Sequence, residues 1–508
     1  MQMLSKKVFK ILGLLVLVLS ASSCKKWLDL KPENGIIRQN YWQTKEQVQA
    51  AVFGCYASLL GDPNSSTSTY TQDRPLPEYL FLWGELRADL LTPSTGVYND
   101  ETDIMNVNIL ETNSLVNWRS VYRTINYCNT VIDFAPQAKQ NDPTFTQQAL
   151  DAYLAEAKGL RALMYFYLVR SFRDVPLVVK STSSDDQLQQ LAKNSSQEVL
   201  QQIVKDLTEA EAAAPLTYNS TAFDKGRITK WTANAILADV YLWMEKYPEA
   251  IAACDKVLNS GRYGLISGAN WFTTVFVNGN SNEGIFEIQF DKTKQNSFYT
   301  MFRSAPQFLA SPLVTDPDNG LYQADVNNPN AKDVRGDGAA ATFGDGRIWK
   351  YIGLDDNTAR ASSESYAHWI VYRYADMLLM KAEALALTGR GQEALDLVNV
   401  IRQRAHALPQ TAQSPDPSNT EAVCDYILEE RGREFAFEGK RWYDLLRHAK
   451  RNNYKRLDIL LEMVSKTVPG SRQQSAIAKY KDPNSHYFPI YQYELQTDKN
   501  LVQNPFYK

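Results

Sequence analysis

Apolar residues recur at spacings of three and four through most of this chain, and that periodicity limits the fold to packed helices more tightly than any other feature. In EAKGLRALMYFYLVRSF (156–172), Ala157, Leu160, Met164, Tyr167 and Ser171 form one stripe. Residues 115–133 place Val121, Ile125, Cys128 and Ile132 on one face. Residues 195–212 turn Val199, Ile203 and Leu207 inward, behind Ser195 and Glu198, whose S-x-x-E spacing predicts a capping box. Two helical stretches then repeat at an offset of 144 residues. Ala238 matches Ala382, Tyr241 matches Leu385, Glu249-Ala250 matches Glu393-Ala394, Cys254 matches Val398 and Val257 matches Ile401. Each copy reads as a helix, a short turn (245–248 and 389–391) and a second helix, with alanine where two helices approach closely. Helix pairs that bury their apolar faces on the next pair make a tetratricopeptide-type scaffold, so the expectation is a mostly α fold.

Irregular sequence separates the helical blocks. Residues 61–78 and 92–103 are turn-rich, and 264–365 carries one strand-like run, 284–290, among many Gly, Asn, Asp and Pro. The tail, 465–508, reads as mostly non-helical. With 508 residues, 44% hydrophobic and 22% charged, the chain can bury a large core. Its 54 basic side chains against 57 acidic ones leave no basic excess for nucleic-acid binding.

The N-terminus reads as an address. Lys6, Lys7 and Lys10 flank an apolar run at 11–19, and Ala21-Ser22-Ser23 leads to Cys24. A bilayer span needs about 20 apolar residues, so residues 1–23 fit an export signal. Small residues directly before Cys24 resemble a bacterial lipobox, with Ala21 where leucine is usual. That implies acylation at Cys24 and a lipid-anchored, otherwise soluble protein. Cys55, Cys128, Cys254 and Cys424 lie far apart in apolar helical contexts, without a CxxC, and read as buried free thiols.

Catalytic and metal motifs are scarce. There is no HExxH, GxSxG, Walker loop or GxGxxG after a strand, and the four histidines show no ligand spacing. Asp316-Pro-Asp318-Asn-Gly320 approximates a calcium loop, but its glycine is one position early and no glutamate closes it. Arg335-Gly336-Asp337 reads as a turn. The expectation is therefore no metal and no cofactor. The segment LEERGREFAFEGKRWYDLLR (428–447) admits two readings. One is an anion or glycan site. The other is a helix in which Glu430, Glu434 and Glu438 pair with Arg431, Arg433 and Arg441 around Phe435, Phe437 and Trp442.

Several stretches, in their order, resemble one family. They are Trp27-Leu28-Asp29 with Pro32, GELRADL (84–90), EAKGLRALMYFYLVRSFRDVPLV (156–178), EGIFEIQF (283–290), YRYADMLLMKAEAL (372–385), LVNVIRQRA (397–405), EERGREFAFEGKRWYDLLR (429–447) and FPIYQYELQTDKNLVQNPFY (488–507). Together they resemble SusD/RagB-type lipoproteins, the outer-membrane nutrient-binding proteins of Bacteroidetes. Arg173 stands where that family usually has glycine, and Tyr491 replaces a common proline. The resemblance implies one SusD-like unit over 24–508, with an N-terminal part of about 24–230 and a C-terminal part of about 231–508. It implies four tetratricopeptide-like helix pairs and an irregular, loop-rich ligand-binding half with a few short strands. It also implies a surface-exposed, lipid-anchored lid over a SusC-like TonB-dependent barrel, which receives oligosaccharides, or in some members peptides, without catalysis.

The family's ligand platform follows GELRADL and the EGIFEIQF strand. In this chain those places hold Tyr98 and Asn99, then Phe298, Tyr299, Trp349 and Tyr351. Flat aromatics suit the apolar C–H faces of sugar rings, and Tyr98 and Trp349 are the expected stacking residues. The enzymatic alternative is a secreted glycoside hydrolase, recognisable by two carboxyl groups about 5–9.5 Å apart in a deep cleft.

Overall fold

The computed structural model describes residues 41–61, 74–182, 187, 189–328 and 330–508, so the leader, Cys24 and the match at 27–32 lie outside the described residues. Helix α1 (Lys45–Ala57) starts at a Thr44/Gln47 capping box. It is followed by α2 (Leu76–Glu85), strand β1 (Leu91–Pro93), α3 (Asn99–Met105) and the long hairpin of α4 (Arg119–Asn141) and α5 (Gln147–Phe172). Next come α6 (Ser196–Ala213), α7 (Thr221–Gly226), α8 (Lys230–Trp243) and α9 (Tyr247–Leu258). The irregular half contributes β2 (Gly284–Ile288), β3 (Phe308–Ala310), α10 (Pro312–Thr315), β4 (Ala341–Thr342), β5 (Arg347–Ile348) and β6 (Trp369–Arg373). The chain then forms α11 (Tyr374–Leu387), α12 (Gly391–Arg404), α13 (Thr420–Glu434), α14 (Arg441–Tyr454), α15 (Asp458–Thr467), α16 (Gly470–Tyr480) and α17 (Gln492–Thr497).

The helices pack as one row: α1 on α4, α4 on α5, α5 on α6, α6 on α8, α8 on α9, α9 on α11, and α11 on α12 and α13. From Gly159 to Phe172 every residue of α5 is buried, because neighbours cover it on all sides rather than along a single stripe. In α4, Val121, Ile125 and Cys128 are buried as the periodicity predicts, while Val131 takes the inward place expected for Ile132. The capping box of α6 is formed: the Ser195 amide donates to Glu198 Oε2 at 2.8 Å, and the Glu198 amide donates to Ser195 Oγ at 3.3 Å.

The internal repeat holds down to single hydrogen bonds. After α8, the Glu245 amide donates to the Leu242 carbonyl at 3.2 Å and the Lys246 amide to Tyr241 at 2.8 Å. After α11, the equivalent bonds run from Gly389 to Ala386 at 3.2 Å and from Arg390 to Leu385 at 2.9 Å. Ala238 and Ala382 are both fully buried. The first turn is shorter than expected, because α9 begins at Tyr247 with Pro248 in its first turn, where a missing N–H leaves no hydrogen bond unmade. Both turns pass through a left-handed residue, Glu245 at φ 60° and Gly389 at φ 79°. A Cβ on Gly389 would meet nothing within 4 Å. Gly389→Ala is therefore expected to cost about 1 kcal/mol from backbone strain alone, read as a lower denaturant midpoint.

Three two-stranded antiparallel ladders cross the irregular half: β1 with β3, β2 with β6, and β4 with β5. The first five residues of the strand-like run at 284–290 form β2, buried along its whole length. The tail differs from its non-helical reading. Only Ala476 and Tyr480 of α16 are fully buried, too sparse an apolar pattern to reveal the helix beforehand. Arg173, in the family's glycine place, keeps the turn by adopting φ 67° at the end of α5. Its guanidinium donates to Asp174 at 3.1 Å and Asn484 at 2.8 Å.

The charged segment is not a continuous helix. It breaks between α13 and α14, where Phe437 (φ 65°) and Gly439 (φ 70°) reverse the chain. Its glutamates reach far in sequence. Glu434 meets Arg373 at 2.5 Å, Arg335 at 3.0 Å and also Arg404; Glu438 meets Arg373 and Lys350, both at 2.9 Å. Glu430 meets Arg335 at 2.7 Å, Arg402 at 3.0 Å and, along its own helix, Arg433 at 3.1 Å. Arg431 and Arg441 instead pair with Asp444 and Asp89. These groups are buried together, so the cluster ties α13 to the irregular half rather than forming an open anion site.

Candidate binding surface

The six residues named for the platform divide into two groups. Phe298, Trp349 and Tyr351 are at most 3% exposed. Tyr351 stacks on Trp369 at 5.7 Å between ring centres, lies 4.6 Å from Phe298 and donates its hydroxyl to the Phe437 carbonyl at 2.9 Å. Trp349 Nε1 donates to the Asp355 carbonyl at 2.6 Å. Phe298 and Tyr351 pack on Trp369 of β6 and Trp349 is buried within its own loop, so the three rings serve as core rather than as an open surface. The expectation that Trp349 stacks on ligand is corrected accordingly: Trp349→Ala removes core packing.

The second group is accessible. Tyr98 is 40% exposed, Asn99 beside it is exposed, and Tyr299 is half-buried. The segments that carry the tyrosines run alongside one another. β1 pairs with β3, and the Ser94 and Gly96 amides donate to Gln307 at 2.8 Å and Pro306 at 3.1 Å. Beneath them runs a chain of buried polar groups. The Tyr98 amide donates to Glu101 Oε2 at 2.9 Å, and Arg74 lies 3.4 Å from Glu101 and 4.0 Å from Glu78. Ser297 Oγ donates to Glu78. Burial raises both carboxyl groups above the ordinary carboxylate range, against the pull of Arg74. Tyr98 and Tyr299 thus stand on segments joined from below.

The same segments also wall a cleft of about 800 Å³, which the sequence did not reveal because its lining comes from five separate stretches. Leu91, Leu313, Leu321, Leu428, Ile459 and Met463 give it an aliphatic floor; Gln323, Gln410, Gln413 and Asn319 lie along its walls. Among the described residues, no aromatic ring lines it. Its carboxylates are committed. Asp89 takes Arg441 at 2.8 Å, Glu429 takes Arg433 at 3.1 Å, Asp425 and Asp458 share Arg456 at 3.0 and 3.2 Å, and Glu462 takes Lys466 at 2.6 Å. Asp316, from the calcium-like run, accepts the Asp318 and Asn319 amides at 2.8 and 3.1 Å in a turn that holds its carboxyl below the usual range. Among the described residues, no group of three or more His, Cys, Asp or Glu side chains is placed to hold a metal ion. No helix there is long and apolar enough to cross a membrane.

Comparison with known proteins gives a consistent result over nearly the whole chain. The profile described as "SusD family" matches residues 322–507, and one described as "Starch-binding associating with outer membrane" matches 26–242. SusD-like protein P38 of Formosa agariphila is 29% identical over 493 residues, spanning 87% of this chain and 92% of that protein. SusD-like protein P2 of the same organism is 28% identical over 480 residues, 85% and 89% of the two chains. A SusD superfamily crystal structure from Bacteroides vulgatus superposes with a TM-score of 0.73 at 21% identity, over 92% of this chain and all of that one. A SusD-like carbohydrate-binding protein from Bacteroides fragilis superposes at 0.71 with 21% identity, over 91% of this chain and 100% of its own.

Proposed function

This chain belongs to the SusD/RagB family, and from that premise we propose that it is a lipid-anchored, cell-surface glycan-binding protein of the outer membrane. It captures oligosaccharides and passes them to a SusC-like TonB-dependent transporter. Attachment is through Cys24. The observation that carries the binding reading is the exposed Tyr98–Asn99 pair and the half-buried Tyr299, on segments linked by the Glu101, Arg74, Glu78 and Ser297 chain. A flat ring with a neighbouring amide holds a sugar by its apolar face and one polar edge. A rigid base keeps the two tyrosines in register, which lessens the ordering required on binding. Binding rather than hydrolysis is supported by the cleft, whose aspartates and glutamates are engaged in ion pairs or a turn instead of standing free as a general acid and its partner.

Calorimetry against a glycan panel tests this reading. Tyr98→Ala and Tyr299→Ala are each expected to weaken a confirmed glycan about tenfold, or ~1.4 kcal/mol, with the thermal midpoint unchanged. The loss should vary little with salt, because a neutral sugar gains little from long-range charge. If the double variant binds as tightly as the parent, the platform is elsewhere. A peptide ligand is the second reading, favoured by the aliphatic floor and amide-bearing walls of the cleft. It is supported if the same panel, extended to oligopeptides, yields binding that Gln323→Ala lowers and Tyr98→Ala leaves intact.

A further inference from the structure

Helices α1 and α4 run antiparallel, and three contacts fix their register. Asn141 Nδ2 donates to the Trp42 carbonyl at 3.3 Å, and the Lys45 amide donates to Asp142 Oδ2 at 3.1 Å. At the other end, the hydroxyls of Ser58 and Thr124 meet at 2.8 Å. Cys55 lies one turn before Ser58 and Cys128 one turn after Thr124, so this register sets the two cysteines opposite each other. Val48, Val52, Val131 and Ala135 fill the rest of the seam, all fully buried or 1% exposed. A cysteine sulfur occupies the same position along its side chain as a serine or threonine hydroxyl. Helices close enough for Ser58 and Thr124 to touch are therefore close enough for the neighbouring sulfurs to touch as well. The Cys55 thiol donates to the Ala51 carbonyl of its own helix at 3.5 Å, and the neighbouring Cys128 thiol together with burial raises it well above the ordinary thiol range.

We propose that Cys55 and Cys128 form a disulfide that staples α1 to α4. An exported protein meets an oxidising compartment, where such a bond persists. The other two described cysteines differ: Cys254 is on α9, and Cys424 on α13 accepts a hydrogen bond from Arg451 Nη1 at 3.4 Å. The oxidant is a thiol–disulfide exchanger, a small-molecule or protein disulfide. One thiolate attacks a sulfur of that disulfide and expels the first thiol of the oxidant. The second cysteine thiolate then attacks the mixed disulfide and expels the other, so two protons leave the cysteines and the oxidant gains two electrons. In the folded protein both sulfurs are buried, and attack by a protonated, inaccessible thiol is slow. The bond therefore forms before α1 is fully docked, and the finished core then shields it from reductant. The closed ring encompasses α2, β1 and the segment bearing Tyr98.

The test is to refold the reduced, denatured full chain in a glutathione redox buffer, quench with iodoacetamide and map peptides by mass spectrometry without reduction. The expected map links the Cys55 and Cys128 peptides and finds Cys254 and Cys424 alkylated. Reduction under denaturing conditions followed by refolding should lower the thermal midpoint by about 5 °C in the parent and leave Cys55→Ala and Cys128→Ala unchanged. Native reduced protein exposed to oxidised glutathione should oxidise far more slowly than refolding protein. Should Cys55 and Cys128 both be recovered alkylated after oxidative refolding, or each be linked to a different cysteine, the proposal is overturned. The parent peptide map decides even where a single variant does not fold.

Discussion

Arg373→Met is expected to destabilise the protein by about 3–5 kcal/mol, read as a lower urea midpoint with the slope preserved. Arg373 is fully buried and sits among three carboxylates: Glu283 at 2.6 Å, Glu434 at 2.5 Å, and Glu438 through two nitrogens at 2.9 and 3.0 Å. A methionine fills similar volume and supplies none of that charge, so three interior carboxylates lose the counter-ion they share and keep only partial compensation from Arg404, Arg335 and Lys350. The size of the loss reflects those stranded groups rather than the net worth of the network, which replacement of all its members by apolar residues would measure. The acid limb should change as well. Arg373 and Lys350 oppose the effect of burial and hold the Glu438 carboxyl down to about 2, and Glu434 lies well below the ordinary range. Because these folded-state values are depressed, their contribution is full above the unfolded carboxylate range, near 4.5, and is lost as pH falls towards about 2. The variant should lose less stability across that window than the parent does. An unchanged midpoint together with an unchanged acid limb would show that the cluster does not bear on folding.

Gly84→Ala should cost about 3 kcal/mol, at the upper end for overpacking. An added Cβ would lie 1.9 Å from the Gly439 carbonyl oxygen and 2.3 Å from its carbon, both backbone atoms. Helix α2 is not free to retreat. Glu85 Oε1 accepts the Gly439 and Lys440 amides at 2.8 and 3.2 Å, and Gly439 lies against the Leu80 carbonyl and Trp369. Gly54, on the open side of α1, is the natural control, since a Cβ there meets nothing within 4 Å. Gly54→Ala is expected to stabilise by up to about 1 kcal/mol through helix propensity alone. Equal midpoints for the two variants would mean that α2 and the turn after α13 are not locked together.

What the sequence determined by itself was local. Spacing of three and four is a property of a single helix, so α4, α5, α6 and the two repeated hairpins were readable without their neighbours. The Ser195–Glu198 cap and the turns at Glu245 and Gly389 were legible for the same reason, since each closes within a few residues. The ordered set of motifs placed the chain in its family; a platform at Tyr98 and Asn99 was what that resemblance implied.

Tertiary structure decided which groups meet across long separations. Near-sequence pairing predicted Arg431, Arg433 and Arg441 as partners for the three glutamates, whereas the buried partners are mainly Arg335, Arg373, Arg402, Arg404 and Lys350, drawn from β6, α12 and the irregular half. Turn-rich surroundings made Phe298, Trp349 and Tyr351 look like surface rings. A long segment with little regular structure still needs a core, and aromatic rings supply the largest contact area per residue. Whether a ring faces ligand or a neighbouring helix depends on where α2 and β6 arrive. The facing of Cys55 and Cys128, far apart in sequence, likewise follows from the register of α1 on α4. Helical period and capping depend on neighbours a few bonds away, while burial and charge pairing depend on which distant surfaces the packed row brings together.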